Sequence, residues 1–373
     1  MKLEKIIIFY PSFERGGVEL ILANLINFFL KKKVCICLIS SNFNKKIIKK
    51  NRLFTLKEHK DQNINFINNR ITNSLYGVNT LLKELKSSNP KKTIVFSMQS
   101  SSLSIILCKI LNFKIVVRNA EDPIYSTFYK ENKLLSLFVL ALKIITYNFA
   151  DGIITNSKGS KQSLERLLFR KTNIDYIYNP YLKKINKRNF LKRKKYILSV
   201  GRLTKQKDFN NLILSFNIIA KNIPDYKLII VGGGNLKTKL KDLGKKLNLE
   251  DKIIFTGWKK KVSKYYKHAS IFILPSLYEG LGNVVIDAVN YEIPTIITNC
   301  KSGPNEIIMN NKGGYIVPKS NPEILASKII YVLKNYTKAK NKILYAKKNI
   351  YRFEYQKNSL KYLNFIKNVF YGK

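Results

Sequence analysis

The sequence predicts an α/β protein made of two doubly wound, Rossmann-like parallel sheets that face a central cleft. Short apolar segments of strand length recur along the chain, and segments with helical periodicity separate them. Strands that are apolar throughout are typical of parallel sheets covered by helices on both faces. A length of 373 residues fits two such domains, because a domain usually holds about 100–200 residues.

The predicted strands form two groups of six, separated by a basic segment. The first group is Ile6–Phe9, Val34–Ile39, Thr93–Phe96, Lys114–Val117, Gly152–Thr155 and Ile174–Tyr178. The second is Tyr196–Val200, Lys227–Val231, Ile253–Phe255, Ile271–Leu274, Thr295–Ile297 and Tyr315–Val317. Helical periodicity is clear in Val18–Leu30 and Leu75–Leu85.

These patterns set the expected domain boundaries. We expect an N-terminal domain over 1–182, a basic linker over 183–195 and a C-terminal domain over 196–350. A last helix, 351–373, is expected to pack back towards the N-terminal domain. Ligands of doubly wound sheets bind beyond the carboxyl ends of the strands, so the cleft between two such sheets is the expected site.

The charge is strongly positive, with 68 Lys and Arg against 23 Asp and Glu. Lysine accounts for most of the positive charge. Proteins that recognise the phosphates and bases of nucleic acids favour arginine, because its planar guanidinium can form two parallel hydrogen bonds. The excess is also spread over both halves of the chain, so we expect no nucleic-acid partner. Two interpretations stay open: solvated faces of a compositionally biased protein, or a basic face on an anionic membrane.

Cysteine usage and hydropathy indicate a cytosolic or membrane-surface protein. The thiols of Cys35, Cys37, Cys108 and Cys300 form no C-x-x-C pair, and only two histidines are present, so we expect reduced thiols and no zinc site. The longest apolar stretch, Leu134–Leu142, is far shorter than the roughly 20 residues of a membrane-spanning helix. The N-terminus does not have the pattern of a signal peptide.

Two loops have the composition of phosphate-binding turns. Gly16 and Gly17 follow the first strand and open the first helix, where backbone N–H groups can reach a phosphate; a plain strand–helix turn is the alternative. Gly201, Arg202 and Lys207 lie on the loop after the first strand of the second domain. Two cations on one loop suit a diphosphate, although a solvated lysine is the alternative for Lys207.

The segment 275–288, PSLYEGLGNVVIDA, carries the strongest signal. A strand ends, a glycine-rich loop follows with Glu279 on it, and a helix begins near Gly282–Asn283 with Asp287 about one turn inside. Carboxylates beside a phosphate-binding helix terminus suit hydrogen bonds from sugar hydroxyls. The small polar loop Ser302–Glu306 follows the next strand and is expected to line the same cleft.

Together these segments resemble glycosyltransferase family 4, the retaining glycosyltransferases of the GT-B fold. The resemblance runs the length of the chain and depends on the order and spacing of its parts. They are GGVE, ADGIITNS, YNP, VGRLTKQKDF, LIIVGGG, FTGW, PSLYEGLGNVVIDA and SGPNEI.

The resemblance implies transfer of a hexose or N-acetylhexosamine from a nucleotide-activated donor, with UDP the expected nucleotide and the anomeric configuration retained. It also implies that the domain over 1–182 binds the acceptor and that the domain over 196–350 binds the nucleotide-sugar. The implied catalytic residues are Glu279, which contacts the donor sugar, and Arg202 and Lys207, which hold the diphosphate. Asp287 stands where the family has a second glutamate for the ribose; it is one methylene shorter, so the helix lies closer or the contact is weaker. The implied donor-binding residues are Gly16, Gly17, Gly201, Gly257, Gly280, Leu281, Gly282, Asn283, Val284 and Asp287.

No metal or other cofactor is expected. Two cations and two helix N-termini can stabilise the negative charge of the leaving diphosphate, and the sequence contains no D-x-D motif. The family often has a histidine at the strand end that here reads VRNAED. Arg118 and Glu121 of this segment are acceptor-side candidates, and a salt-bridged structural loop is the alternative.

The acceptor implied by the resemblance is a glycan or a polyprenyl-diphosphate-linked saccharide of cell-surface polysaccharide synthesis, extended at the cytoplasmic face of the inner membrane. The segment Phe128–Phe149 reads as one long apolar helix with Lys130, Lys133 and Lys143; it either lies in the membrane interface or belongs to the core. Two other functions remain open: a non-catalytic assembly partner that binds nucleotide-sugar or membrane, and a GT-B epimerase of UDP-sugars.

Overall fold

A computed structural model describes residues 2–12, 17–48, 50–59, 69–99, 101–129, 132–187, 192–300 and 302–373. The chain divides into two compact units. The N-terminal unit comprises Met1–Lys183 and Phe353–Lys373, and the C-terminal unit comprises Lys184–Arg352. Gly16 and Lys130 lie outside the described residues.

The N-terminal unit is built on a seven-stranded, fully parallel sheet. Its strands are β1 (Lys5–Phe9), β2 (Cys35–Ser40), β3 (Phe54–Glu58), β4 (Thr93–Ser97), β5 (Lys114–Asn119), β6 (Gly152–Thr155) and β7 (Ile174–Tyr176), in the order β3-β2-β1-β4-β5-β6-β7. Its helices are α1 (Gly17–Lys31), α2 (Asn69–Lys86), α3 (Ser101–Ile110), α4 (Pro123–Phe128), α5 (Lys133–Tyr147), α6 (Lys158–Glu165) and, from the end of the chain, α14 (Tyr355–Tyr371).

The C-terminal unit is built on a six-stranded parallel sheet. Its strands are β8 (Lys194–Val200), β9 (Lys227–Val231), β10 (Ile253–Phe255), β11 (Ala269–Leu274), β12 (Thr295–Thr298) and β13 (Tyr315–Val317), in the order β10-β9-β8-β11-β12-β13. Its helices are α7 (Phe209–Ile219), α8 (Lys237–Lys246), α9 (Ser263–His268), α10 (Asn283–Asn290), α11 (Pro304–Ile307), α12 (Pro322–Lys334) and α13 (Tyr336–Lys348).

The two doubly wound parallel sheets confirm the predicted fold class. Each predicted strand overlaps an observed one, and β3 is an additional strand that the sequence analysis missed. β3 lies at the sheet edge and exposes Lys57 and Glu58. Few side chains of an edge strand are buried, so β3 does not need to be apolar at every position as the central strands do.

The prediction of one helix over Phe128–Phe149 was wrong in its extent. Helix α4 ends at Phe128, and α5 begins only at Lys133, where the side chain of Asn132 accepts a hydrogen bond from the N–H of Leu135 (3.0 Å). An asparagine N-cap satisfies an otherwise unpaired donor of the first turn. Within the described residues, no helix combines the length and the apolar character that crossing a membrane requires.

Strand β1 shows why its sequence is apolar at every position. Ile6 and Ile8 pack into a cluster with residues of α1 and α14, whereas Ile7 and Phe9 pack on the opposite side of the sheet with residues of α2 and α3. Successive side chains of a strand point to opposite faces, and here both faces are covered.

A close approach of two backbones positions the loop that follows β8. Gly232, after β9, has φ +151°, and a Cβ there would lie 1.8 Å from the carbonyl oxygen of Gly201. The N–H of Gly201 in turn donates to the carbonyl of Val231 (3.0 Å). Only a glycine at position 232 allows the Arg202-bearing loop to rest against β9.

We expect Gly232→Ala to lower the free energy of unfolding by more than about 2 kcal/mol, because the new methyl group overlaps a backbone carbonyl. Gly233→Ala is the matched control, since its Cβ would meet nothing nearer than the Cβ of Trp258 at 3.9 Å; a change within about 1 kcal/mol is expected. Urea unfolding followed by circular dichroism measures both, and equal losses would contradict the assigned approach.

Candidate functional site

The strand order of the C-terminal sheet places two predicted site loops side by side. Strands β8 and β11 are neighbours, and the order of the sheet reverses between them. The loops that leave their carboxyl ends are joined by the backbone: the N–H of Leu277 donates to the carbonyl of Gln206 (2.8 Å). The side-chain amide of Gln206 donates to the carbonyl of Tyr278 (3.0 Å). Such a switch point is where doubly wound sheets bind ligands.

Glu279 and Lys207 form a buried ion pair at this switch point. The Nζ of Lys207 contacts the Oε1 of Glu279, and the two side chains are 13% and 7% exposed. The hydroxyl of Ser276 donates to the same carboxylate oxygen (2.7 Å). Because these loops are poorly solvated, the charges of the pair are weakly screened, and one cation and one anion are held where a polar ligand can contact both.

A third loop, which leaves β12, closes on the Glu279 segment. The hydroxyl of Ser302 donates to the carbonyl of Glu279 (3.1 Å). Gly303 has φ +71°, and a Cβ there would lie 2.1 Å from the carbonyl oxygen of Gly280. The Ser302–Glu306 loop therefore packs on the glycine-rich loop.

Helix α10 begins where the sequence predicted it. Gly282, at its N-cap, has φ +80° and places no side chain over the first turn. Asp287 is one turn inside and partly exposed, and it makes contacts of its own. The structure thus brings Gly280, Leu281, Gly282, Asn283 and Val284 into one loop and first turn, with Leu281 buried in the core.

Arg202 lies on the same loop as Lys207, and its side chain is exposed. Its carbonyl accepts a hydrogen bond from the N–H of Thr204 (2.8 Å), which begins the tight turn that leads to Lys207. A Cβ on Gly201 would approach the Cδ of Lys207 to 3.3 Å, so the glycine leaves room for the lysine stem. Gly257 is farther along the same sheet edge, where its carbonyl accepts from the N–H of Gly232 (3.1 Å).

In the N-terminal unit, Gly17 is the first residue of α1, and Gly16 lies outside the described residues. Glu19, of the same GGVE segment, is buried and accepts a hydrogen bond from the hydroxyl of Tyr10 (2.8 Å).

Arg118 ends strand β5 and is 3% exposed. Its Nε donates to the hydroxyl of Tyr362 (3.2 Å) and its Nη2 to the side-chain oxygen of Asn179 (2.7 Å). Among the described residues, Nη1 has no hydrogen-bond partner and the guanidinium has no carboxylate partner. A buried cation without a counter-ion is costly, which favours an anionic ligand beside it. Within the part of the chain that the structure describes, Arg118 is thus not part of a salt-bridged loop.

Lys143 is a cation at the carboxyl end of the N-terminal sheet, and the sequence analysis did not assign it to the site. Its Nζ donates to the side-chain oxygen of Asn119, at the carboxyl end of β5, over 2.5 Å. Burial lowers the pKa of Lys143 from 10.5 to about 8, and the nearby charges of Glu121 and Asp122 partly oppose that shift. It is the one charged residue between positions 134 and 150; this isolation was the available signal.

Ser276 and Asn179 were likewise not assigned, although both lie in segments that carry the resemblance. Ser276 contacts the carboxylate of Glu279, and Asn179 contacts the guanidinium of Arg118. The spacing of residues in the sequence does not reveal such contacts. Among the residues that the structure describes, no group of three or more His, Cys, Asp or Glu side chains is arranged to hold a metal ion. A surface depression of about 960 Å³ on the C-terminal unit, lined by Lys312 and by residues of α12 and α13, contains none of the predicted site residues.

Comparisons with known proteins identify the family of the chain. The family model described as "Glycosyl transferases group 1" matches residues 182–349. The N-acetylgalactosamine-N,N'-diacetylbacillosaminyl-diphospho-undecaprenol 4-alpha-N-acetylgalactosaminyltransferase of Campylobacter jejuni is 31% identical over 258 residues, which cover 67% of this chain and 69% of that protein. The chain belongs to the glycosyl transferases group 1 family. The predicted enzyme class, glycosyltransferase, is confirmed at this level.

Two further similarities extend the comparison. An uncharacterized glycosyltransferase of Methanocaldococcus jannaschii is 35% identical over 262 residues, 64% of this chain, and the match spans 62% of that relative's length. The HepE protein of Anabaena, solved in complex with UDP-glucose, superposes with a TM-score of 0.77 at 16% identity, over 98% of this chain and 99% of that one. At that identity the likeness shows the fold alone, which is the expected GT-B architecture.

We expect the Lys207–Glu279 pair to contribute to stability in a coupled way. Lys207→Met should cost about 3 kcal/mol, because it leaves a buried carboxylate without its cation. Adding Glu279→Gln should restore part of that loss, since neither charge is then left alone. Thermal and urea unfolding of both single variants and the double variant measure the coupling.

The exposed pair Lys195–Asp225 (2.6 Å, side chains 64% and 66% exposed) is the control, and its cycle of Lys195→Met and Asp225→Asn should show no measurable coupling. Additive losses at Lys207 and Glu279 would contradict a buried, mutually dependent pair.

Proposed function

We propose that the protein is a retaining, metal-independent glycosyltransferase that moves a sugar from a UDP-sugar to a polyprenyl-diphosphate-linked saccharide at the cytoplasmic face of a membrane. The observation that carries the proposal is the buried pair of Lys207 and Glu279 at the switch point of the C-terminal sheet. Membership of the family supports the reaction type.

In the proposed chemistry, charged groups of the protein lie beside the opposite charges that develop on the reacting atoms. Cleavage of a sugar–diphosphate bond builds negative charge on the leaving oxygen and positive charge on the anomeric carbon. Lys207 and Arg202 lie on one loop and can stabilise the diphosphate, and the N-terminus of α10, which begins after Gly282, adds backbone N–H groups. Glu279, held by Ser276, accepts hydrogen bonds from the donor sugar.

Stabilisation by fixed cations leaves no necessary role for a divalent metal in this step, which is why we propose metal independence. The UDP preference is supported by the fold's similarity to the Anabaena protein solved with UDP-glucose. We place Asp287 at the donor ribose, where its shorter side chain reaches less far than a glutamate.

The acceptor class is supported by two observations. The Campylobacter jejuni relative is named for an undecaprenol diphosphate acceptor and for transfer of N-acetylgalactosamine, which favours an N-acetylhexosamine or a related hexose here. Arg118 supplies a buried guanidinium whose Nη1 has no partner among the described residues, and a phosphate of the acceptor is a fitting ligand for it.

The donor proposal is tested by calorimetry with UDP-, GDP- and dTDP-sugars, with and without EDTA. We expect one UDP-sugar to bind with the same affinity in EDTA. Glu279→Gln should lower turnover at least about tenfold, or roughly 1.4 kcal/mol of transition-state stabilisation. Glu323→Gln, at an exposed position of α12, is the matched control and should leave turnover unchanged. Failure of every nucleotide-sugar to bind would reject the donor proposal, and loss of binding in EDTA would reject metal independence.

The acceptor proposal is tested at Arg118. Arg118→Met should raise the KM for a polyprenyl-diphosphate saccharide at least about tenfold while the KM for the donor stays constant, because a charge-assisted contact is lost. Arg118→Lys should recover part of the loss. Tyr362→Phe removes the hydroxyl that Arg118 contacts but keeps the cation, and should have little effect on either KM. A parallel rise of both KM values in Arg118→Met would show that this residue does not act on the acceptor.

A further inference from the structure

Helix α5 leaves one of its faces uncovered. Ser136, Thr146 and Tyr147 are buried against the rest of the N-terminal unit. Leu134 and Phe138 are 82% and 67% exposed, and Leu137 and Ile145 are also more than half exposed. Positions 134, 138, 141 and 145 recur at helical spacing, so the exposed apolar side chains form one stripe along the helix.

The stripe continues beyond the end of the helix. Phe149, one turn after Ile145, is exposed, and the guanidinium of Arg170 lies 4.8 Å from the centre of its ring. The side-chain oxygen of Asn148 accepts hydrogen bonds from the N–H groups of Phe169 (3.1 Å) and Arg170 (2.9 Å). These bonds hold the exposed ring of Phe169 beside the C-terminal end of α5.

Basic side chains flank the stripe at both ends. Lys133 is exposed at the first turn of α5, and Arg166, Arg170 and Lys171 are exposed near its last turn. No Asp or Glu occurs in 132–150 or in 166–172. We call this region the α5 surface; it comprises Leu134, Leu137, Phe138, Ile145, Phe149 and Phe169 with Lys133, Arg166, Arg170 and Lys171.

We propose that the α5 surface docks the protein onto an anionic lipid bilayer. An exposed apolar stripe bordered by Lys and Arg is the pattern of a helix that lies in the membrane interface, with its apolar side chains among the acyl chains and its cations among the headgroups. The 15 residues of α5 extend about 22 Å, so the helix lies along the surface and does not cross the roughly 30 Å hydrocarbon layer.

The charge of the chain selects a bilayer over a second copy of the protein. With a net charge of +45, two copies that met through this surface would bring Lys133, Arg166, Arg170 and Lys171 of each close to like charges of the other, which is unfavourable. Anionic headgroups offer the complementary charge. The proposal does not depend on the roles assigned to Glu279 and Lys207.

The test is flotation of the full-length chain with vesicles of mixed phosphatidylglycerol and phosphatidylcholine, and with vesicles of phosphatidylcholine alone. We expect the wild type to float with the anionic vesicles and much less with the neutral ones. Leu137→Glu combined with Phe138→Glu should reduce the bound-to-free ratio by on the order of tenfold or more. Arg166→Gln combined with Arg170→Gln should reduce only the contribution that salt screens.

The matched control is Leu75→Glu, which adds one carboxylate, as Leu137→Glu does, at a similarly exposed leucine of α2 (59%, against 53% for Leu137) and should float like the wild type. Thermal unfolding and calorimetry with UDP check that each variant keeps its fold and its donor site, so a failure of the docking proposal is distinguishable from a failure of the proposed function. The proposal would be overturned if Leu137→Glu/Phe138→Glu floated with anionic vesicles as well as the wild type does. It would also be overturned if Leu75→Glu lost as much vesicle binding as that double variant. A third contradicting outcome is a wild type that is dimeric in light scattering and becomes monomeric in Leu137→Glu/Phe138→Glu.

Discussion

The buried ion pair between Lys207 and Glu279 is the contact on which the arrangement of the C-terminal loops depends. Two charges can be buried only if each has its partner, and here the partners come from loops that follow different strands. Gln206 joins the same two loops through the backbone of Leu277 and through Tyr278, and Ser302 attaches the third loop to the carbonyl of Glu279. The pair therefore orders the surface that we assign to the donor while keeping a cation and a carboxylate at its centre.

The two faces of helix α5 differ: the inner face carries a lysine that contacts a strand end, and the outer face exposes apolar side chains. Its inner face directs Lys143 to Asn119 at the end of β5. Its outer face presents leucine and phenylalanine, with Lys133 at its first turn, and Arg166 and Arg170 of the segment after α6 lie near its last turn. The sequence left open whether this segment belongs to the core or to an interface. The structure shows that the inner face of α5 packs in the N-terminal unit, and membrane docking of the outer face is our proposal. A single helix thus links the polar strand ends of the N-terminal sheet to the surface that we assign to the membrane.

Two positions distinguish this chain from the family pattern that it otherwise follows. Asp287 stands on the first turns of α10 where the resemblance implies a glutamate, and Arg118 stands at a strand end where it often implies a histidine. The structure gives Arg118 a distinct environment: Tyr362 and Asn179 hold its Nε and Nη2, and among the described residues no carboxylate neutralises it. A fixed cation cannot act as a base, so this position is suited to bind a phosphate and not to accept a proton.

The sequence by itself determined the two parallel sheets, because strands buried on both faces, such as Ile6–Phe9, must be apolar at every position. It also placed Glu279, Lys207 and Arg202 on loops after strands of the second sheet, since glycine-rich turns and charged residues after strands mark the carboxyl edge. It did not reveal β3, whose edge position needs little apolar surface. Only the tertiary structure decided that Lys207 pairs with Glu279, that Arg118 is buried with no carboxylate partner among the described residues, and that Phe138 faces outwards. Each of these depends on contacts between segments distant in the chain, which local periodicity does not encode.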